Sequence, residues 1–120
     1  MPTLLDAALV GDALSRLAGW TGDGGGIRRT LSMTDTEYGD FIERVKVTSD
    51  AMDHHADISR NGDEVSIALV THSAGGVTEY DIALASRIND LARIAKNQPQ
   101  PPLPPEAFGR AGEVDQNADV

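Results

Sequence analysis

Three histidines are the side chains of this 120-residue chain best suited to proton transfer. His54 and His55 are adjacent, and His72 ends the most apolar segment, residues 65–72. Imidazole is the side chain whose ordinary pKa falls near neutral pH, so it can act as a general acid or a general base. Two such rings on opposite sides of a bound molecule could supply both functions. The residue types alone do not assign these roles to individual histidines.

Each histidine also has a purely structural interpretation. His54 and His55 lie where a predicted helix ends, and imidazolium groups there are stabilised by the helix dipole. His72 could be a solvent-exposed residue at the end of a strand. Adjacent residues point in different directions in a helix and in a strand, so His54 and His55 are badly placed to bind one metal ion. We therefore predict no metal site.

Two further residues could complete a site around an imidazole. Asp81 opens a predicted helix, where it could cap free backbone N–H groups, orient one imidazole or hold a donor edge of a ligand. Trp20 precedes the first predicted hairpin. It could be a core aromatic residue or form a wall beside a flat substrate. Both alternatives stay open for each residue on this evidence.

The hydrophobic pattern predicts three helices. The first covers residues 3–17, with apolar side chains at helical spacing. Residues 34–37 have the Thr-x-x-Glu form of a capping box, and the second helix runs from there to about Asp53. The third helix begins with a similar signature at residues 78–81 and ends near Asn97.

Four strands are predicted between these helices. Residues 20–21 and 27–33 form a hairpin around a glycine-rich turn. A third strand contains Ile58 and leads into the turn dipeptide Asn61-Gly62, and residues 65–72 form the fourth. The order α-β-β-α-β-β-α predicts an α+β fold, a four-stranded antiparallel sheet with three helices on one face.

The fourth predicted strand has one face of large apolar residues and one of mostly small residues. The large residues are Val65, Ile67 and Leu69. His72 shares the parity of the smaller residues, so we expect it off the core face, beside space in which a flat molecule could dock.

The composition changes after residue 97. Residues 98–105 are rich in proline and predict extended polyproline II, and residues 106–120 are polar and acidic enough to predict disorder. We therefore divide the chain into a folded domain, residues 1–97, and a tail, residues 98–120. The tail could be a solubilising segment or contain a partner-binding motif.

The net charge of −9 and the absence of cysteine exclude several classes of function. The acidic chain would repel a phosphate backbone, so we expect no direct binding of nucleic acid. Without cysteine it has no disulfide, thiolate nucleophile or zinc-thiolate site. We predict no signal peptide and no membrane span, because acidic residues interrupt the first apolar segment. A cytoplasmic location is the expectation.

Three segments occur in an order that resembles one family. They are a helix ending in Asp53-His54-His55, a strand ending in Thr71-His72, and a glycine-containing loop followed by the helix that Asp81 opens. In these segments the chain resembles the pterin-4a-carbinolamine dehydratases, also called 4a-hydroxytetrahydrobiopterin dehydratases. The likeness extends over about residues 4–95 and excludes the tail.

The resemblance implies a lyase that removes water from a 4a-hydroxytetrahydropterin and gives a quinonoid dihydropterin. It implies His54 and His72 as the proton-transfer residues. His55, Asp81 and Trp20 would contact the pterin. The resemblance also implies that no metal or organic cofactor is needed, and that the chain forms a homodimer or homotetramer.

Relatives of this fold also include a non-catalytic dimerisation cofactor of a transcription factor and assembly chaperones of carbon-fixing enzymes. The alternative hypothesis is therefore an interaction module on the same fold. Such a module has no chemical need for three histidines together with Asp81, so their joint presence favours the enzyme.

Overall fold

A computed structural model describes residues 3–96 of the chain. The elements follow in the order α1 (Ala7–Ser15), β1 (Thr21–Asp23), β2 (Gly26–Ser32), α2 (Asp35–Met52), β3 (Asp57–Asn61), β4 (Glu64–Leu69), a short 3-10 helix (His72–Ala74) and α3 (Glu79–Ala95). This order confirms the prediction from the sequence. Within the described residues, no helix is both long enough and apolar enough to span a membrane. The predicted tail, residues 98–120, lies outside the described residues.

The four strands form one antiparallel sheet in the order β1-β2-β4-β3. On the central strand β4, Val65, Ile67 and Leu69 are buried and the residues between them are exposed. This alternation is expected for a strand with one covered face. The three helices cover that face, and the other face of β4 remains open.

The core lies between the covered face of the sheet and the helices. Phe41 of α2 and Leu84 and Ile88 of α3 are fully buried there, together with Ile27 and Ile67 of the sheet. Truncating a buried side chain of this size costs about 2–5 kcal/mol. The core thus fixes the positions of α2, α3 and β4 relative to one another.

The capping box predicted for the second helix is present and determines where α2 begins. Thr34 Oγ1 accepts a hydrogen bond from the Glu37 backbone N–H at 3.2 Å, and Glu37 Oε1 accepts one from the Thr34 N–H at 2.9 Å. These bonds satisfy two backbone N–H groups that the helix itself cannot satisfy.

The first helix is shorter than predicted, because the chain before it is extended. The Leu5 N–H donates to the Val77 carbonyl at 3.0 Å, and Leu4 forms a β-bridge with Thr78. Asp6 then caps the helix by accepting a hydrogen bond from the Leu9 N–H at 2.9 Å. The apolar residues before Asp6 therefore belong to the chain that pairs with the segment before α3.

The prediction that the fourth strand continues to His72 is wrong. β4 ends at Leu69, and His72 is the first residue of the 3-10 helix. Leu69 pairs with Ile27, one residue from the start of β2, and Ala68 pairs with the first residue of β3. Beyond this point β4 has no neighbour to pair with, so strand parity does not determine the direction of His72.

Candidate active site

The site begins at the C-terminal end of α2, where the chain turns sharply. Asp53 has φ 52° and ψ 42°, and it is the one non-glycine residue with positive φ among residues 3–96. Aspartate tolerates this left-handed conformation better than most residues. The His54 N–H donates to the Ser49 carbonyl at 3.0 Å, which closes the helix end. The turn thus determines where His54 leaves the helix.

The His54 ring is held by the carboxylate of Asp81. His54 Nε2 lies 2.6 Å from Asp81 Oδ1. The Asp81 side chain is fully buried, and the His54 side chain is 13% exposed. An ionised carboxylate only accepts hydrogen bonds, so an ionised Asp81 places the proton of a neutral His54 on Nε2. Nδ1 is then free to accept a proton.

Asp81 is itself oriented by two threonines. Its Oδ2 accepts hydrogen bonds from Thr71 Oγ1 at 2.7 Å and from the Thr78 backbone N–H at 2.9 Å. Thr71 Oγ1 also lies 2.7 Å from Thr78 Oγ1. Because the Thr71 hydroxyl donates to Asp81, the Thr78 hydroxyl donates to Thr71. One carboxylate therefore caps α3 and orients the His54 imidazole.

A depression of about 420 Å³ lies beside this pair. Its lining residues are Met52, Asp53, His54, Thr71, Ser73 and Tyr80. Pockets of this size are large enough for a small flat heterocycle. Tyr80 is 45% exposed, and its ring centroid is 6.1 Å from that of His54, with the planes inclined at 39°.

Tyr80 is a lining residue that the sequence analysis missed. Its position next to Asp81, in the first turn of an amphipathic helix, was the available signal. An aromatic side chain there can pack against the face of a planar ligand.

His72 is not among the residues that line the depression, but the residues on either side of it, Thr71 and Ser73, are. His72 is exposed. The 3-10 helix therefore brings the His72 backbone close to the end of α2, although the two histidines are far apart in the sequence.

His55 lies on a different surface from His54. Its Nε2 is 3.0 Å from Asp50 Oδ1, and its side chain is 62% exposed. It lines a separate hollow of about 260 Å³ whose other residues include Ile42 and Ile58. The predicted divergence of the adjacent rings is confirmed.

Trp20 lies in the core and is bonded to the C-terminal half of α3. Its Nε1 donates to Asn89 Oδ1 at 2.8 Å, and Asn89 Nδ2 donates to the Ala18 carbonyl at 3.1 Å. The structure therefore brings together His54 and Asp81, and it places His72 between two residues that line the depression. It places His55 and Trp20 elsewhere, and their role as substrate contacts stays a prediction from the resemblance.

The described residues also contain no group of three or more histidine, cysteine, aspartate or glutamate side chains that could hold a metal ion. What the site offers is an imidazole with one nitrogen held by a buried carboxylate, beside an open depression. This is an arrangement suited to moving a proton.

The fold and the pair of His54 with the buried Asp81 define a small α+β protein with a candidate acid–base site, and a solved structure shares this fold. It is the crystal structure of a "transcriptional coactivator/pterin dehydratase" from Brucella melitensis, with a TM-score of 0.69 and 30% sequence identity. The match covers 73% of this chain and 97% of that one.

Sequence comparison gives the family. Residues 3–91 match the family model described as "Pterin 4 alpha carbinolamine dehydratase". A relative from Mycolicibacterium smegmatis is 41% identical over 80 residues, which cover 66% of this chain and 85% of the relative. One from Thermomicrobium roseum is 37% identical over 89 residues, covering 73% and 96%. Both are named "Putative pterin-4-alpha-carbinolamine dehydratase". The chain belongs to the pterin-4a-carbinolamine dehydratase family, as its sequence predicted.

Proposed function

We propose that this protein is a lyase that dehydrates a 4a-hydroxytetrahydropterin to a quinonoid dihydropterin. The observation that carries the proposal is the hydrogen bond between His54 Nε2 and the buried Asp81 carboxylate, beside a depression of about 420 Å³. Family membership supports the substrate class. The proposal includes a cytoplasmic location, a homo-oligomeric state and catalysis without a metal or organic cofactor.

The reaction needs one proton removed and one delivered. The N5–H proton is lost, the C4a–O bond breaks, a C4a=N5 double bond forms, and the leaving hydroxide takes up a proton and departs as water. A carboxylate bonded to one imidazole nitrogen fixes the tautomer of the ring and the direction of its other nitrogen. We therefore assign His54 Nδ1 as the base for N5–H and His72 as the acid for the hydroxyl group.

Tyr80 provides the depression with an aromatic surface, and the proposal assigns it to contact with the pterin ring. A planar bicyclic ligand that packs on Tyr80 would lie within reach of the His54 ring, because the two rings are 6.1 Å apart. The contact would align the reacting edge of the pterin with His54 Nδ1.

The test is the rate at which quinonoid dihydropterin appears when the carbinolamine is generated in situ. The wild-type chain should exceed the spontaneous dehydration, and His72→Ala should lose about 10²- to 10⁴-fold in kcat. Arg44→Gln is the matched control, because Arg44 is an exposed cation paired with Asp40 at 2.8 Å, outside the site. A wild-type rate equal to the spontaneous rate would refute the dehydratase proposal.

The alternative, a non-catalytic interaction module, is favoured by one observation, the word coactivator in the name of the Brucella melitensis protein. This role predicts a stoichiometric complex with a partner protein that survives His54→Ala, together with no acceleration of dehydration. Measuring both properties on the same variant separates the two hypotheses.

A further inference from the structure

A cationic side chain lies on the covered face of the sheet, where an apolar residue is expected. Arg29 alternates with its neighbours along β2 so that it shares the face of Ile27 and Leu31. Across the sheet it pairs with Ile67, which is 1% exposed. A buried or half-buried cation is costly unless a carboxylate or other acceptor compensates it.

The partner of Arg29 in the described residues is a neutral amide. Arg29 donates to Asn89 Oδ1, the same oxygen that accepts from Trp20 Nε1. The guanidinium also lies against the backbone of Gly19, where an added Cβ would come within 2.7 Å of Nε. Arg29 is therefore held in place, but its charge is not neutralised by an ion pair within residues 3–96.

Two more cations face the same space from the end of α3. Arg93 and Lys96 line a cavity of about 320 Å³ together with Arg29. The remaining lining residues are uncharged: Ala18, Leu31, Ser32, Asn89 and Ala92. Arg93 Nε is buried and has no hydrogen-bond partner among the described residues.

Two carboxylates outside the lining form ion pairs with Arg93 and Lys96. Asp90 accepts a hydrogen bond from the terminal nitrogen of Arg93, and Glu37 is 3.6 Å from Lys96 Nζ. Burial and the charge of Arg93 both lower the pKa of Arg29, as expected for two guanidinium groups that face each other. A cation that only stabilises the C-terminal end of a helix can stay in contact with solvent. Arg93 Nε is buried, so this role alone does not explain its position.

We propose that this cavity is a binding site for the phosphate group of a small molecule. Guanidinium groups recognise phosphate through paired N–H donors, and two of them with an ammonium group match a dianion better than a single carboxylate. The volume exceeds what a phosphate group alone needs, and Leu31 and Ala92 offer apolar contacts for an attached carbon skeleton.

This site is separate from the depression beside His54. The two share no lining residue. Along α3, which rises about 1.5 Å per residue, Arg93 is about 18 Å from Asp81. The proposal therefore does not depend on the dehydratase function.

Trp20 offers a direct readout of binding. It is the one tryptophan of the chain, and its indole shares the Asn89 acceptor with Arg29. We would titrate the full chain with inorganic phosphate and, separately, with glycerol 3-phosphate, following Trp20 fluorescence at constant ionic strength against sodium chloride. Tighter binding of the ester would identify an organic phosphate as the ligand, and equal or tighter binding of inorganic phosphate would identify the free anion.

The proposal predicts a saturable fluorescence change that chloride does not produce. Arg93→Gln and Arg29→Gln should each weaken binding by about 10-fold or more, the effect of losing a charge-assisted contact. Arg28→Gln is the matched control, because Arg28 is the adjacent residue on the exposed face of β2, and it should bind like wild type.

Thermal unfolding distinguishes a variant that has lost the binding site from one that is only less stable. Either phosphate compound should raise the Tm of the wild-type chain and of Arg28→Gln, because a ligand that binds only the folded state stabilises it. At the same concentration it should raise the Tm of Arg93→Gln by less. The proposal is overturned if neither compound gives a saturable change, or if Arg93→Gln binds as tightly as wild type.

Discussion

The two ends of α3 contain polar regions that differ in how their hydrogen-bonding groups are satisfied. At the start, buried Asp81 accepts hydrogen bonds from His54, Thr71 and the backbone of Thr78. At the end, Arg29 and Arg93 face the same cavity, and Arg93 Nε has no partner among residues 3–96. The first region is complete without a ligand and holds one imidazole in place. The second has donors that a bound anion would satisfy.

This difference separates two ways in which a protein prepares a site. A fully bonded network fixes the direction and tautomer of a reacting group before the substrate arrives. A half-buried cation without an ion pair, such as Arg29, and a buried donor without a partner, such as Arg93 Nε, are costly in the free protein. A ligand of opposite charge relieves that cost. Substitutions at the two ends of α3 should therefore have opposite effects on stability.

The largest expected effect is the loss of catalysis in His54→Ala. Removing the proposed base should lower kcat by about 10²- to 10⁴-fold. The loss of the hydrogen bond to the buried Asp81 carboxylate should also lower the Tm. The measurement is the initial rate of quinonoid formation. An activity within a few-fold of wild type would show that the network at the start of α3 serves only to cap the helix.

Thr71→Val should have the next largest effect. It tests the hydrogen-bond network around Asp81 by its contribution to stability. The valine keeps the shape but removes the donor to Asp81 Oδ2 and the acceptor for Thr78, so the free energy of unfolding should fall by about 1–3 kcal/mol. The control is Thr30→Val on the exposed face of β2, which should change it by less than about 0.5 kcal/mol. If urea unfolding shows equal losses of unfolding free energy for Thr71→Val and Thr30→Val, the hydrogen bonds of Thr71 do not stabilise the fold.

Arg29→Met should have the opposite effect on the free energy of unfolding. Replacing a half-buried cation without an ion-pair partner by an apolar side chain of similar length should leave the free energy of unfolding unchanged or raise it by about 1 kcal/mol. The comparison is Arg28→Met in a phosphate-free buffer. A loss of more than about 1 kcal/mol relative to that control would mean that Arg29 stabilises the fold and is already compensated.

The smallest expected effect concerns Glu37, the carboxylate near Lys96. The hydrogen bond from the Thr34 backbone N–H, with the charge of Lys96, lowers the Glu37 pKa from its ordinary value of 4.5. A lowered pKa in the folded state stabilises the protein above pH 4.5, and this stabilisation is lost as the pH falls through the folded-state pKa.

Glu37→Gln should therefore be less stable than wild type near pH 7, and the difference should shrink towards about pH 3. Urea unfolding at the two pH values measures it. The glutamine can still accept the Thr34 N–H, so the change isolates the effect of charge. A difference that does not depend on pH would show that Glu37 contributes only through packing.

The local parts of the fold could be predicted from the sequence because they depend on nearby residues. The capping box of Thr34 and Glu37 determined the start of α2, and the alternation of Val65, Ile67 and Leu69 determined the covered face of β4. The family was also predicted correctly, since its motifs are short segments in a fixed order.

Features that depend on contacts between distant residues could not be predicted. The end of β4 depends on where its pairing with β2 and β3 ends. For this reason His72, predicted in a strand, lies in a 3-10 helix. The phosphate site needs Arg29 and Arg93, which are brought together only by packing of α3 on the sheet. One signal was present, because Arg29 follows the parity of Ile27 and Leu31.

The central claim is that His54 and Asp81 act as one unit in the dehydration of a pterin carbinolamine. The most direct test is the dehydration rate of the double variant His54→Ala/Asp81→Asn beside both single variants, each shown by circular dichroism to be folded. Residues that act as a unit give losses that are not additive, so the double variant should be no slower than His54→Ala alone. If the two losses multiply in the double variant, Asp81 acts independently of His54 and the claim is wrong.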